Sequence, residues 1–554
     1  MLMGNVYRGG ELVVKVLEEF GARVVFGVPG GQTLFVTDPL QDTDIRFVHT
    51  RHENGAACAA DGWGRLTGEP GICLATTGPG ATNLITGLGG AFRDSSPVIA
   101  LVFQNRLADA GKGDAQESDH ELLFGSICKK YIPVRDAATI QWAMREAYRT
   151  AKTGRPGPVV VDFYRDVIEE QSAEYVHCVP ESYCVMPCCE ADEDALKAAY
   201  EVIVDSKKIC LWIGNGVKIS GAEEEVKELS RILNAPIVTT YNGMAAVNGK
   251  FENLIGPRSR HGSRVTKMAL EEADCVVVIG SSLTAVSTNR WGIRARNVVQ
   301  FDLIPENIGR HYPVAAGVPG DACRSLGRLN EMLRRREYRG DASYLNYILS
   351  EKEKWYTELC SGSASDIHAK PAAPVAVQIE LQKILRENSV LVVDAGNPGA
   401  WTHMLEFPDS FVYMKPVNYG NMGFALGAAL GCAEACSDKE VIALLGDGSL
   451  GMTLGELETI SREEKPVIIL LFNDSAYGNI KQEELYKMGE GRYTGVEFPD
   501  IDYVNVAGAF GIDGTIVEKA EQLPAAFEKA RACGKPFMIE VKLDGNYSVW
   551  PEAV

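Results

Sequence analysis

Two acidic residues 27 positions apart (474 − 447) mark where this chain could do chemistry. Asp447 lies in VIALLGDGSLG and Asp474 in PVIILLFNDSAYG. Each stands where an apolar, strand-like run stops, and the interval holds one helical pattern and the second run. Both acids therefore return to the same edge of a sheet. Alone, Gly-Asp-Gly is a tight turn after a strand. Beside a second acid at the carboxyl edge of an open α/β sheet, it becomes a candidate ligand site. Gly446 and Gly448 let a phosphate approach the backbone, and a helix expected to start near Leu450 turns its positive end there. Two oxygen ligands beside a phosphate suit Mg²⁺, which shares an octahedral shell with diphosphate and water. A third acid, Glu53 in TRHENG, precedes the helical run NGAACAADGWGRL. By itself it is a helix N-terminal acid.

Three blocks must position these residues. They cover residues 1–170, 192–340 and 374–554, joined by linkers 171–191 and 341–373. In each block, strand-like runs (RVVFGVP, KICLWIG and SVLVVDAG are the first of each) alternate with amphipathic helical patterns. That alternation predicts an α/β fold of three doubly wound parallel-sheet domains. The first linker is irregular, with prolines, acids and cysteines. The second is charged and expected to be partly helical.

Composition narrows the function classes. The net charge is −19, which argues against nucleic acid or an anionic membrane as the main partner. The opening MLMGNVYRGGELVVKVLEEFG has no basic segment followed by an apolar core, and no run of about 18 apolar residues predicts a membrane span. Fourteen cysteines in such a chain read as reduced thiols in the cytoplasm.

The motifs occur in an order that resembles the thiamin diphosphate (ThDP)-dependent enzymes, in their acetolactate synthase-like branch. FGVPGG, RHENGAACAADGWGRLTG, TTGPGATNLITGL, GRPGPVVVD, NMGFALGAALG and the Gly-Asp-Gly segment carry this resemblance over nearly the whole chain. It implies a pyrimidine-binding, central and diphosphate-binding domain order, with ThDP and Mg²⁺ as cofactors. By position, Asp447, Asp474 and the carbonyl of Ala476 would hold the metal. Asn397, Gly420, Met422, Gly448, Ser449 and Gly478 would contact the coenzyme, with Met422 keeping it bent. Glu53 would be catalytic, sharing a proton with the pyrimidine N1′. Gly31, Gln32, Ala115, Gln116 and Glu483 would face substrate. The resemblance also implies a homodimer or homotetramer with each site between two chains. The activity implied is C–C bond cleavage beside a carbonyl, with 2-oxo acid decarboxylation and acyl transfer to a carbonyl acceptor.

Departures blur the substrate. Ala115 stands where the synthases carry Phe, and Glu483 where they carry Trp, so small apolar keto acids become poorer acceptors. Asn397 and Pro398 replace a Gln-His pair. Asp474 replaces the usual Asn, adding a charge that favours the cation and repels diphosphate. A ThDP-dependent lyase, a hydrolase or a sulfoacetaldehyde acetyltransferase-like enzyme stays open. In the central block, Ser282 stands where the flavin-binding branch has Arg, and Ile304 where a second acid is common. A domain without nucleotide is therefore favoured over FAD or ADP, and over a flavin-dependent oxidoreductase. A non-catalytic subunit has no need to keep Glu53, Asp447 and Asp474 together. His177, Cys178, Cys184, Cys188 and Cys189 have no paired spacing that predicts zinc, so packed or exposed thiols are expected.

Overall fold

The computed structural model describes residues 5–185, 189–247 and 251–549. It contains three six-stranded parallel sheets, one in each block. The first sheet runs, edge to edge, Arg46–His49, Val24–Gly27, Gly71–Ala75, Val98–Gln104, Pro158–Tyr164 and Lys130–Val134. The third runs Val412–Met414, Ser389–Val393, Glu440–Gly446, Val467–Asn473, Phe537–Lys542 and Asp513–Val517. Taken in chain order within each domain, both have the strand order 2-1-3-4-6-5. The outer domains thus share a topology, which no single sequence pattern displays. The central sheet differs. Leu254–Pro257, Ile237–Thr239, Ile209–Ile213, Cys275–Ile279, Asn297–Asp302 and Ala316–Pro319 give 3-2-1-4-5-6.

Parallel sheets with helices on both faces bury whole strands, so their strands read as continuous apolar runs. Val98–Gln104 (VIALVFQ) and Val467–Asn473 (VIILLFN) are buried at every position. No helix among the described residues is long and apolar enough to cross a membrane.

The outer domains are joined by helices Glu53–Thr67 and Ala425–Ala435. Small residues let their backbones nearly touch. A Cβ on Gly431 would lie 1.9 Å from the Ala59 carbonyl oxygen, and one on Gly62 would lie 2.2 Å from that of Ala428. A single apolar cluster consequently runs from Phe26 and Trp63 through Leu426 and Leu430 to Leu471.

The linkers are more ordered than their composition suggests. Ser172–Glu174 pairs antiparallel with Val6–Arg8. Segment 341–373 contains the 20-residue helix Ala342–Ser361, capped by the Asp341 carboxylate on the Ser343 N–H. Its buried Tyr344, Leu345, Ile348 and Trp355 give it a core-facing stripe.

Candidate active site

The carboxyl edge of the third sheet gathers the residues singled out from spacing. Asp447 follows Glu440–Gly446 directly, and Asp474 follows the adjacent parallel strand Val467–Asn473. Asn397 follows the neighbouring strand on the other side, Ser389–Val393. The helix after the Gly-Asp-Gly turn begins at Asp447, not near Leu450, and spans only Asp447–Met452. The Gly448 N–H donates to the Asp447 Oδ1 at 2.9 Å, at the first turn of this helix.

Asn397, Gly420, Met422, Asp447, Gly448, Ser449, Asp474, Ala476 and Gly478 all line one cavity of about 490 Å³. Trp401, Met452, Tyr477 and Ile480 supply much of its apolar wall. Its floor is strict about side chains. A Cβ on Gly478 would lie 2.2 Å from Asp474 Oδ2, and one on Gly448 would lie 2.6 Å from the Tyr477 ring.

The Asp447 carboxylate at this edge is only partly satisfied. Asp447 is 2 % exposed, and its Oδ2 is buried with no hydrogen-bond partner. Burial, and then the neighbouring Asp474, push Asp447 up to about 7. Burial likewise pushes Asp474 up to about 6. Two desolvated carboxylates side by side favour protonation or a cation. Among the described residues no group of three or more His, Cys, Asp or Glu side chains gathers as a metal cage. A hard cation at this edge would thus share its shell with non-protein oxygens, as a diphosphate-bound metal does. The orphaned Oδ2 and the glycine floor fit such a group.

Asp394, whose role no local pattern names, organises the loop that carries Met422. Its buried carboxylate accepts from the N–H groups of Gly423 at 3.1 Å and Ala425 at 2.9 Å. It thereby ties Met422 to the end of strand Ser389–Val393.

Glu53 lies elsewhere. It opens helix Glu53–Thr67, is 8 % exposed, and accepts from Asn83 Nδ2 at 2.9 Å. His52 caps that helix by accepting from the Asn54 N–H. Glu456 of the third domain accepts from the His52 N–H at 3.1 Å and so fixes the turn that carries Glu53. Glu53 does not line the Asp447 cavity of its own chain. Asn83 and Glu456 went unnoticed in the sequence because they are remote from Glu53 along the chain. Asn83 stood in plain view inside TTGPGATN, yet nothing in its spacing pairs it with Glu53.

The residues expected on the substrate side form a second group, on the first domain. Thr76 Oγ1 donates to Gln32 Oε1, Gln32 Nε2 to Asn105 Oδ1, and Asn105 Nδ2 to the Ala115 carbonyl. Gly31 and Gln116 are exposed nearby. Glu483 is not in the cavity wall. It pairs with Arg260 of the central domain at 3.1 Å and with Lys487, while the adjacent Gln482 faces inward.

A second cavity, of about 320 Å³, lies where the three domains meet. Gly214, Gly280, Ser282, Asp302, Arg155 and Asn418 are among its lining residues. It occupies the crevice where the central sheet's strand order reverses, the general ligand position of such sheets. Among the linker thiols, Cys178, Cys184 and Cys189 are free, and Cys188 lies outside the described residues.

Comparison with known proteins gives three family matches along the chain. Residues 7–123 match the thiamine pyrophosphate enzyme N-terminal TPP binding domain, 196–329 the central domain and 394–541 the C-terminal TPP binding domain. The acetolactate synthase large subunit of Corynebacterium glutamicum is 31% identical over 98% of this chain and 88% of its own length. The acetolactate synthase isozyme 2 large subunit of Escherichia coli is 29% identical over 98% of this chain and 97% of its own.

Proposed function

Because the chain belongs to the thiamine pyrophosphate enzyme family, we propose that it is a ThDP- and Mg²⁺-dependent enzyme that decarboxylates a 2-oxo acid and transfers the acyl unit to a carbonyl acceptor. The observation that carries this is the cavity at Asp447, where two desolvated carboxylates, an orphaned oxygen and a glycine floor meet. Bound there, ThDP supplies an electron sink for breaking a bond beside a carbonyl.

The chain's own groups do the rest. Asp447 and Asp474, with the Ala476 carbonyl, would hold Mg²⁺. Gly448 and Ser449 bind phosphate oxygens, while Asn397, Gly420 and Gly478 line the coenzyme's path. Met422, tied down through Asp394, would pack against the coenzyme. Trp401, Met452 and Ile480 give the cavity an apolar wall. Glu53 holds a proton at the pyrimidine N1′ and moves it as the coenzyme is activated.

Glu53 does not line its own chain's cavity, so this mechanism calls for a second copy. A homodimer or homotetramer, each site pairing one chain's Glu53 with the other's Asp447, meets that need. Gln32, Ala115 and Gln116 would then form the substrate wall. Glu483, held by Arg260, puts a charged pair rather than an aromatic ring at the rim, which suits a polar acceptor. No step draws on FAD or ADP. The fourteen cysteines suit a reducing, cytoplasmic setting.

The test is a panel of 2-oxo acids with ThDP and Mg²⁺, scoring CO₂ release and coupled products. At least one acid should lose CO₂ only when both cofactors are present. A panel with no cofactor-dependent CO₂ release from a chain shown to bind ThDP would overturn the assignment.

A further inference from the structure

A buried polar cluster lies beneath the loop that separates Glu53 from Gln116. Three neighbouring parallel strands, Val98–Gln104, Pro158–Tyr164 and Lys130–Val134, bring Gln104, Asp162 and Tyr131 together. Asp162 is fully buried. Its Oδ2 accepts from the Tyr131 hydroxyl and from Gln104 Nε2, and lies 3.0 Å from His120 Nδ1. His120 is 1 % exposed.

These contacts settle the imidazole's tautomer. A buried carboxylate is costly unless donors surround it. The backbone N–H of Gly78 can only donate, so the hydrogen sits on Nδ1, is donated to Asp162, and leaves Nε2 as an acceptor. That nitrogen lies 3.4 Å from the backbone N–H of Gly78, which donates to it.

Gly78 is the hinge between two parts of the site. Its φ is +61°, and a Cβ there would lie 2.2 Å from the Gln116 carbonyl oxygen. It is thus wedged between the imidazole and the Gln116 loop. It also precedes the short helix Pro79–Asn83, whose last residue donates to Glu53 Oε2 at 2.9 Å. A Cβ on Gly80 of the same helix would lie 3.3 Å from Glu53 Oε1.

The geometry points to His120 as a positioning residue: a neutral imidazole, locked in one tautomer by Asp162, that holds Gly78 and, through it, both the helix orienting Glu53 and the backbone of Gln116. Its catalytic consequence rests on Glu53 serving the coenzyme as described above. An ordinary core histidine would fill the same space, and only its volume and its bond to Asp162 would count.

Three substitutions separate these roles. His120→Phe keeps a ring and loses both polar contacts. His120→Asn places an amide near the Nδ1 position and restores the contact to Asp162. His120→Gln reaches as far as Nε2 and restores an acceptor for Gly78. The first readout is amide hydrogen exchange on the chain without coenzyme, which is independent of any activity. Exchange across Gly78–Asn83 should rise about tenfold in the Phe and Asn variants and stay within about twofold of wild type in the Gln variant. The remote strand Cys275–Ile279 should not change.

The second readout is turnover of the cofactor-loaded enzyme. The Phe and Asn variants should lose about tenfold in kcat with KM within about twofold, and Gln should recover most of it. Unchanged exchange at Gly78–Asn83 in Phe and Asn, or equal effects in all three variants, would overturn the role. If His120→Phe does not fold, the Asn–Gln contrast decides. If the wild type shows no cofactor-dependent turnover, the assigned activity fails, and exchange alone still decides whether His120 holds Gly78.

Discussion

At the scale of single residues, two carboxyl groups carry the proposed chemistry from different domains. Glu53 is tied to Asn83 and buried, so Glu53→Gln keeps its shape and hydrogen-bonding capacity while removing the acid. Turnover should fall by about 10²- to 10⁴-fold with melting temperature and circular dichroism unchanged; normal turnover would remove Glu53 from the mechanism. Asp447→Asn removes a charge that has no partner at its Oδ2. The apo protein should be no less stable, or slightly more so, because burying an unpaired charge is costly. ThDP retention on gel filtration with Mg²⁺ should nevertheless drop by at least about tenfold. A variant that loses apo stability and keeps coenzyme would show that Asp447 serves the fold instead. Both acids were legible in the sequence because strand ends announce themselves. Asp394, Asn83 and Glu456 were not, since each acts on a partner that its local pattern does not name.

Elements place those residues, and the helix pair Glu53–Thr67 and Ala425–Ala435 bears most of the burden. Its small residues bring two backbones into contact, and Glu456 holds the first turn of the same helix. Gly431→Val would drive a side chain into the Ala59 carbonyl, 1.9 Å from where its Cβ must sit. Overpacking of this kind costs about 1–3 kcal/mol or more. A urea melt should show that loss, together with a disproportionate fall in kcat because the helix carries Glu53. Stability equal to wild type would mean that the helices can move apart freely. The strands could be read from apolar runs, and helices such as Gly9–Glu19 and Ile140–Lys152 from periodicity. The start of the helix at Asp447, and its brevity, could not. At that start the Asp447 side-chain carboxylate accepts from the Gly448 N–H, a local contact that no periodicity encodes.

For the molecule as a whole, the separation of Glu53 from the Asp447 cavity of the same chain is the dominant fact. If sites form between chains, Glu53→Gln and Asp447→Asn subunits are each inactive alone but complementary when mixed. Co-expressed in equal amounts with different tags, they should recover about a quarter of wild-type activity, since half the dimers are mixed and each has one intact site. No recovery in isolated mixed dimers would place both groups of each site on one chain. The sequence by itself determined the α/β class and the two acids at adjacent strand ends. Those depend on strand periodicity and on glycines and acids at strand ends, all local properties of the chain. Only the tertiary structure decided that the outer domains share one strand order, that Glu483 is held by Arg260, and that His120 and Asp162 lie under Gly78. Those are contacts between groups far apart in sequence, and packing selects them after the elements have formed.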